Sequence, residues 1–387
     1  MTTFRFARRA LGVTAPEESH GAVISFGSGD AYPEGLPDMG DLAQAAASKF
    51  RTETMQYSPR LGLEEMREWI ADAAARDGVT IAPEHVIVVN GAKNAIDLVC
   101  RVFLEAGDTV VVTAPTYKSA LNIFRGYRVD YVEVGLTDEG LDVDELEARL
   151  AERARAGRPM PKFVYDVPEF HNPTGITLTA ERRRALLALA DRYDLMIVED
   201  DPYRRIRFQG EPVPPIKAFD IKGRAITIGT FAKLVAPGLR LGWVVATPEI
   251  IAKISAFKAD GGSCPLTQRL ILEYAKAGRL EAHVREVTEI YRGQRDVMMK
   301  ALERYVPDVR WRVPLGGYYL WLRLPERMTG EALARAALAR GVSILPGSDF
   351  FATSGPRNHV RLAYSHASPS EITEGVRRLG EAFREIA

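Results

Sequence analysis

The segment IGTFAKLVAPGLRLGW, residues 228–243, puts Lys233 in a loop just after a β-rich run, three residues past Thr230 and seven before Arg240. A lysine that projects from a strand end into a protein interior loses water, which lowers its pKa and leaves an amine able to attack a carbonyl. Thr230 and Arg240 can reach a phosphate from the same loop, the guanidinium with paired donors. An isolated lysine is ordinarily a solvated surface charge, so other segments must add to the signal. EFHNPTG at 169–175 follows the run KFVYDV, and its Asn-Pro-Thr-Gly makes a tight turn that fixes the Asn172 amide. Alone, that tetrapeptide is a common turn. IVEDDPY at 197–203 sets Asp200 at the end of an apolar run, with Tyr203 three residues on. A carboxylate in that position is more often a cap or half of an ion pair. VVNGAKNAIDL at 88–98 reads as strand, glycine and helix start, and the free N–H groups around Gly91, Ala92 and Lys93 suit a phosphate. It is not the usual phosphate-loop or dinucleotide sequence.

Such residues act together only if regular elements hold them at one place. Seven β-rich runs occur: VIVV at 86–89, TVVVT at 109–113, YVEV at 131–134, KFVYDV at 162–167, LMIVED at 195–200, AITIG at 225–229 and GWVVAT at 242–247. Helical segments lie between most of them, for instance 144–156 and 179–192, and 63–76 precedes them with Leu63, Met66, Ile70 and Ala73 on one face. Continuous apolar strands alternating with helices predict an α/β fold, a largely parallel sheet covered on both faces. Ligands of such sheets bind at the carboxyl ends of the strands. Beyond residue 280 the pattern changes to one long helix, a turn at Gly316 and Gly317, the strands YYLWLRL and HVRLAYS, and a terminal helix from about Ser368. The expected division is an extended arm over 1–45 that contributes to a small domain, a large domain over 46–285, and a small α+β domain over 286–387.

The chain has 387 residues, 46% of them apolar and 26% charged, the mix of an ordinary globular protein. Its 51 basic and 51 acidic side chains cancel, which argues against bulk binding of nucleic acid and for a few placed charges. Two cysteines, Cys100 and Cys264, are too few for a disulfide framework and lack metal-ligand spacing, so both are expected as buried reduced thiols and no metal is expected. No run suits a signal peptide or a membrane span, so a cytoplasmic protein without membrane partners is expected.

Taken together and in this order, from YSPRLG near residue 57 to HVRLAYS near 359, the segments resemble the class I and II aminotransferases, pyridoxal-phosphate enzymes of fold type I. The pattern is most similar to members acting on 2-aminoadipate, kynurenine or aromatic amino acids. The resemblance implies a seven-stranded, mostly parallel sheet sandwiched by helices, with pyridoxal 5'-phosphate as cofactor. It implies that Lys233 forms the Schiff base with the cofactor aldehyde and afterwards moves the substrate proton. Asp200 matches the carboxylate that keeps the pyridine nitrogen protonated. Asn172 and Tyr203 match the pair bonded to the ring's phenolic oxygen, and Tyr117 the aromatic residue stacked on the ring. Gly91, Ala92, Lys93, Thr230 and Arg240 match phosphate contacts. Tyr57 matches a tyrosine that crosses to the partner's phosphate in a homodimer. Arg361 matches the arginine that clamps the substrate α-carboxylate, and Gly29 a glycine that lets the substrate approach.

The implied reaction moves the amino group of an L-amino acid to a 2-oxo acid, typically 2-oxoglutarate, in ping-pong half-reactions. A lyase, γ-replacement enzyme, decarboxylase or oxidase on the same fold is the alternative. A transcription regulator with an aminotransferase-like domain would need a DNA-binding module, and barely 40 arm-like residues precede YSPRLG. Ala232 departs from the family's frequent serine before the lysine, which removes a hydroxyl near the phosphate. His171 is given no catalytic role. Arg5, Arg8, Arg9 and Arg60 are candidates for a distal substrate carboxylate, while Tyr32, Tyr318 and Tyr319 equally suit an aromatic pocket.

Overall fold

The computed structural model describes Arg5, Ala7 and residues 23–386. The chain begins there with β1 (Ile24–Ser25), followed by β2 (Val86–Val89), β3 (Thr109–Thr113) and β4 (Asp130–Val134). A short hairpin, β5 (Leu136–Thr137) and β6 (Gly140–Leu141), leads to β7 (Phe163–Asp166), β8 (Met196–Asp200), β9 (Ala225–Thr230) and β10 (Gly242–Val245). Seven of these form one sheet in the order β2-β10-β9-β8-β7-β3-β4. All of its pairings are parallel except those of β10. Every residue of β2, β3 and β7 is buried, which explains why these runs are apolar without alternation. Helix Val143–Arg155, capped by Asp142 accepting the Glu145 N–H at 3.0 Å, covers one face with Ala180–Tyr193. Helix Ala92–Phe103 packs against the other.

The reversed strand matters for the chemistry. Gly242 of β10 pairs with Thr230 and with Val89, so the start of β10 lies beside the ends of β9 and β2. Arg240, two residues upstream, is thereby delivered to the carboxyl edge, where the parallel strands deliver their own loops.

A second sheet holds β11 (Arg310–Trp311), β12 (Tyr319–Arg323), β14 (Leu345–Pro346) and β15 (His359–Ala363), in the order β11-β12-β15-β14. The strand before β14, β13 (Val342–Ser343), pairs in parallel with β1, so residues near both chain ends meet. Helix Arg279–Tyr305 lies against helix Pro369–Ile386, and its 27 residues run across position 285.

One expectation is corrected. Cys100 is buried on the inner side of its helix, but Cys264 is exposed. It stands at the N-cap of helix Pro265–Lys276, ahead of the turns whose apolar side chains face the core.

Candidate active site

A cavity of about 410 Å3 opens at the carboxyl edge of the large sheet. Of the residues singled out in the sequence, Gly29, Ala92, Lys93, Tyr117, Asn172, Asp200, Tyr203, Thr230, Lys233, Arg240 and Arg361 line it. Gly91 stands just behind: at its φ of +88° it turns β2 into helix Ala92–Phe103, and a Cβ there would lie 2.9 Å from Arg240 Nη2. Tyr57 does not line the cavity; it is 85% exposed.

Asp200 is the last residue of β8 and only 2% exposed. Tyr165, on neighbouring β7, donates its hydroxyl to Asp200 Oδ2 at 2.7 Å, while Oδ1 is buried with no partner. Burial raises the carboxyl to about 7, although the Tyr165 hydrogen bond pulls it down. An acceptor oxygen kept dry and unpaired is suited to a ligand N–H that carries positive charge. The same raised pKa makes a prediction for the cofactor-free protein. Because the folded value lies above the ordinary 3.8, this group's contribution to stability is complete below about pH 4 and is lost as pH rises through about 7. Melting temperature is therefore expected to fall over that range, and Asp200→Asn to flatten the fall. Asp166, also raised by burial to about 7, leaves a residual slope in that variant.

Lys233 Nζ donates to the Gly29 carbonyl at 2.5 Å and lies 5.1 Å from the centre of the Tyr318 ring. The Tyr318 hydroxyl donates to the Lys233 carbonyl at 3.0 Å, which anchors the backbone beneath the amine. Gly29 must be glycine for this approach, since a Cβ would fall 2.1 Å from the Tyr319 hydroxyl.

Arg361 comes from β15 and is 5% exposed. Its Nη1 donates to Asn172 Oδ1 at 3.1 Å and its Nη2 to the Gly27 carbonyl at 2.5 Å; Nε has no partner. The guanidinium stacks 4.1 Å from the Tyr319 ring centre and 5.1 Å from that of Phe350. Three residues before Asn172, the buried Glu169 accepts from Arg183 at 2.8 Å and Arg207 at 2.7 Å. His171 is buried between the Thr113 and Thr174 hydroxyls, 3.0 Å from each, and burial lowers it to about 3, so it is neutral.

Tyr203 donates its hydroxyl to that of Tyr319 at 3.2 Å. Burial holds the Tyr203 phenol well above its ordinary range. Burial also pushes Tyr319 up, but the Arg361 and Lys233 charges beside it outweigh that and leave it below the ordinary value. At the other end of the cavity, Thr230 Oγ1 accepts the Ala232 N–H at 3.1 Å and donates to the Leu241 carbonyl at 3.2 Å. Arg240 donates to the carbonyls of Asn90 at 3.3 Å and Pro237 at 3.4 Å, from a left-handed backbone at φ +48°.

Two participants escaped the sequence reading. Tyr165 is one residue before the end of a core strand and carries no motif. Lys118 lines the cavity and pairs with Asp349 at 2.6 Å; following Tyr117 directly was its only signal. Of the arginines considered for a distal carboxylate, Arg60 is exposed, donates to the Ser255 carbonyl at 3.4 Å and does not line the cavity. Arg5 is exposed and also lines no part of it, and Arg8 and Arg9 lie outside the described residues. Tyr318 is buried beneath Lys233, Tyr319 lines the cavity, and the Tyr32 hydroxyl donates to Glu34 outside it.

The family model for aminotransferase class I and II matches residues 22–379. The chain belongs to that family. This aminotransferase is 38% identical over 396 residues to aromatic-amino-acid aminotransferase 1 of Thermococcus litoralis, spanning 98% of the chain and 94% of the relative. It is 36% identical over 375 residues to the 2-aminoadipate transaminase of Thermus thermophilus, covering 94% and 91%. Its structure superposes on the kynurenine aminotransferase of Pyrococcus horikoshii, solved with PMP, with a TM-score of 0.93, 36% identity, and coverage of 98% and 97%. The large sheet and its flanking helices are those of fold type I enzymes. The residues present fit pyridoxal phosphate: an unpartnered carboxylate oxygen for a pyridinium N–H, an amine for an aldehyde, and a helix start with an arginine for a phosphate.

Proposed function

We propose that this aminotransferase transfers the amino group of an L-amino acid to 2-oxoglutarate in ping-pong half-reactions, with pyridoxal 5'-phosphate held in the cleft. The observation that carries this reading is the unpartnered Asp200 Oδ1 in the same cavity as Lys233 and Arg361. When bound, the cofactor supplies a ring that accepts the electron pair released at the substrate Cα. Asp200 Oδ1 accepts the ring N–H and keeps it protonated. Lys233 Nζ would hold the cofactor covalently at rest and, once freed, carry the proton of the substrate Cα. Asn172 Oδ1 is committed to Arg361, so Nδ2 is the atom it would offer, with the Tyr203 hydroxyl, to the cofactor's phenolic oxygen. Tyr117 covers the ring. The Gly91, Ala92 and Lys93 turn, Thr230 and Arg240 hold the phosphate, the Thr230–Ala232 bond standing where a serine hydroxyl would add a further donor.

Arg361 clamps the α-carboxylate of both substrates, with Nε still free to donate, and Gly29 gives the substrate room. Arg361→Ala is expected to raise KM for the amino donor on the order of 10^2-fold, the scale of losing one partner of a buried charge pair, while cofactor affinity changes little. Steady-state kinetics beside cofactor titration tests this, and equal loss of both would assign Arg361 to the cofactor instead.

Lys118 is the cavity-lining cation left for the distal acid of 2-oxoglutarate. Its pair with Asp349 is about one-third exposed and so contributes little, roughly 0–1 kcal/mol. Lys118→Ala is expected to raise KM for 2-oxoglutarate by about tenfold and leave that for a monocarboxylic oxo acid unchanged, as steady-state kinetics with the two acceptors would read.

The working unit of this proposal is a homodimer in which the exposed Tyr57 reaches the partner's phosphate. The line between large domain (46–285) and small domain (286–387, joined by 1–45) is part of the same reading, supported by the β1–β13 pairing. The proposed compartment is the cytoplasm, and no helix among the described residues is long and apolar enough to cross a membrane.

A further inference from the structure

A second cavity, of about 450 Å3, lies behind the segment that carries Asp200 and Tyr203. Its volume falls within the roughly 300–1,000 Å3 of small-molecule sites. Pro202 and Thr230 line both cavities, but the walls differ in kind. The catalytic cleft is cationic, with Lys93, Lys118, Lys233, Arg240 and Arg361. The second has the indoles of Trp69 and Trp243 with Ile70, Leu234 and Val245, beside side chains of both charges. The two indoles brace Phe231 at ring-centre distances of 5.6 and 4.9 Å, so they are held in place without an occupant.

Among the charged residues of its lining is one buried ion pair. Arg204 and Asp201 form an ion pair through Nε and Oδ2, with side chains 10% and 8% exposed. Asp201 Oδ1 and Arg204 Nη2 have no hydrogen-bond partner. Glu199 Oε1 stands 3.8 Å from Nη2, beyond hydrogen-bond reach. A buried unsatisfied polar atom costs about 1–3 kcal/mol, and here an acceptor and a donor are both left open on one ion pair that lines a cavity.

The charges around that pair narrow what fits. A carboxylate would bring a second anion to Asp201 and leave Oδ1 without a donor. An ammonium would leave Nη2 without an acceptor and set a cation beside a guanidinium. Of the other cations on this wall, Arg205 is paired with Glu281 and Lys217 with Asp220 at 2.8 Å, while Arg76 is exposed to solvent. A neutral group that presents N–H and C=O side by side satisfies both open atoms at once, and a flat ring attached to it meets the indoles.

We propose that this cavity is a second ligand site that takes a neutral planar aromatic carboxamide or lactam, its ring against Trp69 and Trp243 and its amide edge on Asp201 and Arg204. The site is independent of the catalytic reading, because the groups that recognise its ligand are not those that hold the cofactor or the substrate carboxylate.

Calorimetric titration of the holoenzyme with indole-3-carboxamide, indole-3-carboxylate and indole tests this. The carboxamide is expected to bind once per chain, at least about tenfold more tightly than the other two. Ala73→Trp, which fills the cavity from a half-buried helix position, is expected to weaken that binding at least about tenfold while transamination and melting stay at wild-type values. Ala74→Phe serves the same purpose if Ala73→Trp melts early. Arg361→Ala is expected to leave carboxamide binding intact. No saturable binding, equal binding of the carboxylate, or a loss caused by Arg361→Ala rather than by the filling variants would overturn the proposal. Wild-type transamination in the same preparations keeps that failure separate from any failure of the catalytic reading.

Discussion

Lys233→Ala is expected to lower the rate of the amino-donor half-reaction by at least about 10^3-fold, because covalent attachment and proton transfer, the latter worth about 10^2–10^4-fold, are lost together. The fold should survive. The side chain makes one hydrogen bond, to the Gly29 carbonyl, and the loop is held independently by the Tyr318 hydroxyl on the Lys233 carbonyl and by Thr230 on the Ala232 N–H. A melting temperature near that of the wild type beside a dead half-reaction, followed spectroscopically in a single turnover, is the expected pair of results. Retained transamination would exclude Lys233 as the proton carrier.

Asp200→Asn is expected to be almost as severe, with kcat down about 10^2–10^3-fold, the scale of losing one preorganised electrostatic partner in a dry site. The amide keeps the size and can still accept the Tyr165 hydroxyl, so packing at the end of β8 is retained. What it lacks is the negative charge that keeps a ring nitrogen protonated, and the electron pair released at Cα then has nowhere stable to go. The same substitution relieves a carboxyl that burial holds at about 7, so the cofactor-free variant should be more stable than the wild type above that pH. Activity and stability moving in opposite directions is the signature of a group kept for function. If kcat is preserved in steady-state assays, the carboxylate is structural.

Much of this site could be read from the sequence because each catalytic side chain sits within a few residues of a strand end. Lys233, Asp200, Asn172 and Arg240 all carry local signals: an apolar run that stops, a turn, and then a polar residue. The α/β architecture was legible for the same reason, since strands buried on both faces must be continuously apolar. What escaped depends on contacts that no local pattern encodes. Tyr165 reaches Asp200 through the register of β7 on β8, where Tyr165 stands opposite Val198. Tyr203 and Tyr319 are 116 residues apart, one in the turn after β8 and the other at the start of β12. Lys118 and Asp349, 231 residues apart, meet between a helix start and a turn. Cys264 looked like a core thiol because its neighbours are small or apolar, yet a helix N-cap ahead of Pro265 projects outward. The second cavity had no sequence trace at all: its two indoles are 174 positions apart, and no local pattern marks Asp201 as an acid with one oxygen left unpaired.

The central claim is that Lys233 is the residue that holds the cofactor. Reduction of the holoenzyme with borohydride followed by peptide mass spectrometry tests it most directly. The expected result is one phosphopyridoxyl group per chain, on the peptide containing Lys233, and none on that peptide in Lys233→Ala. Label on Lys93, Lys118 or any other lysine in place of Lys233, or no label at all, would contradict it.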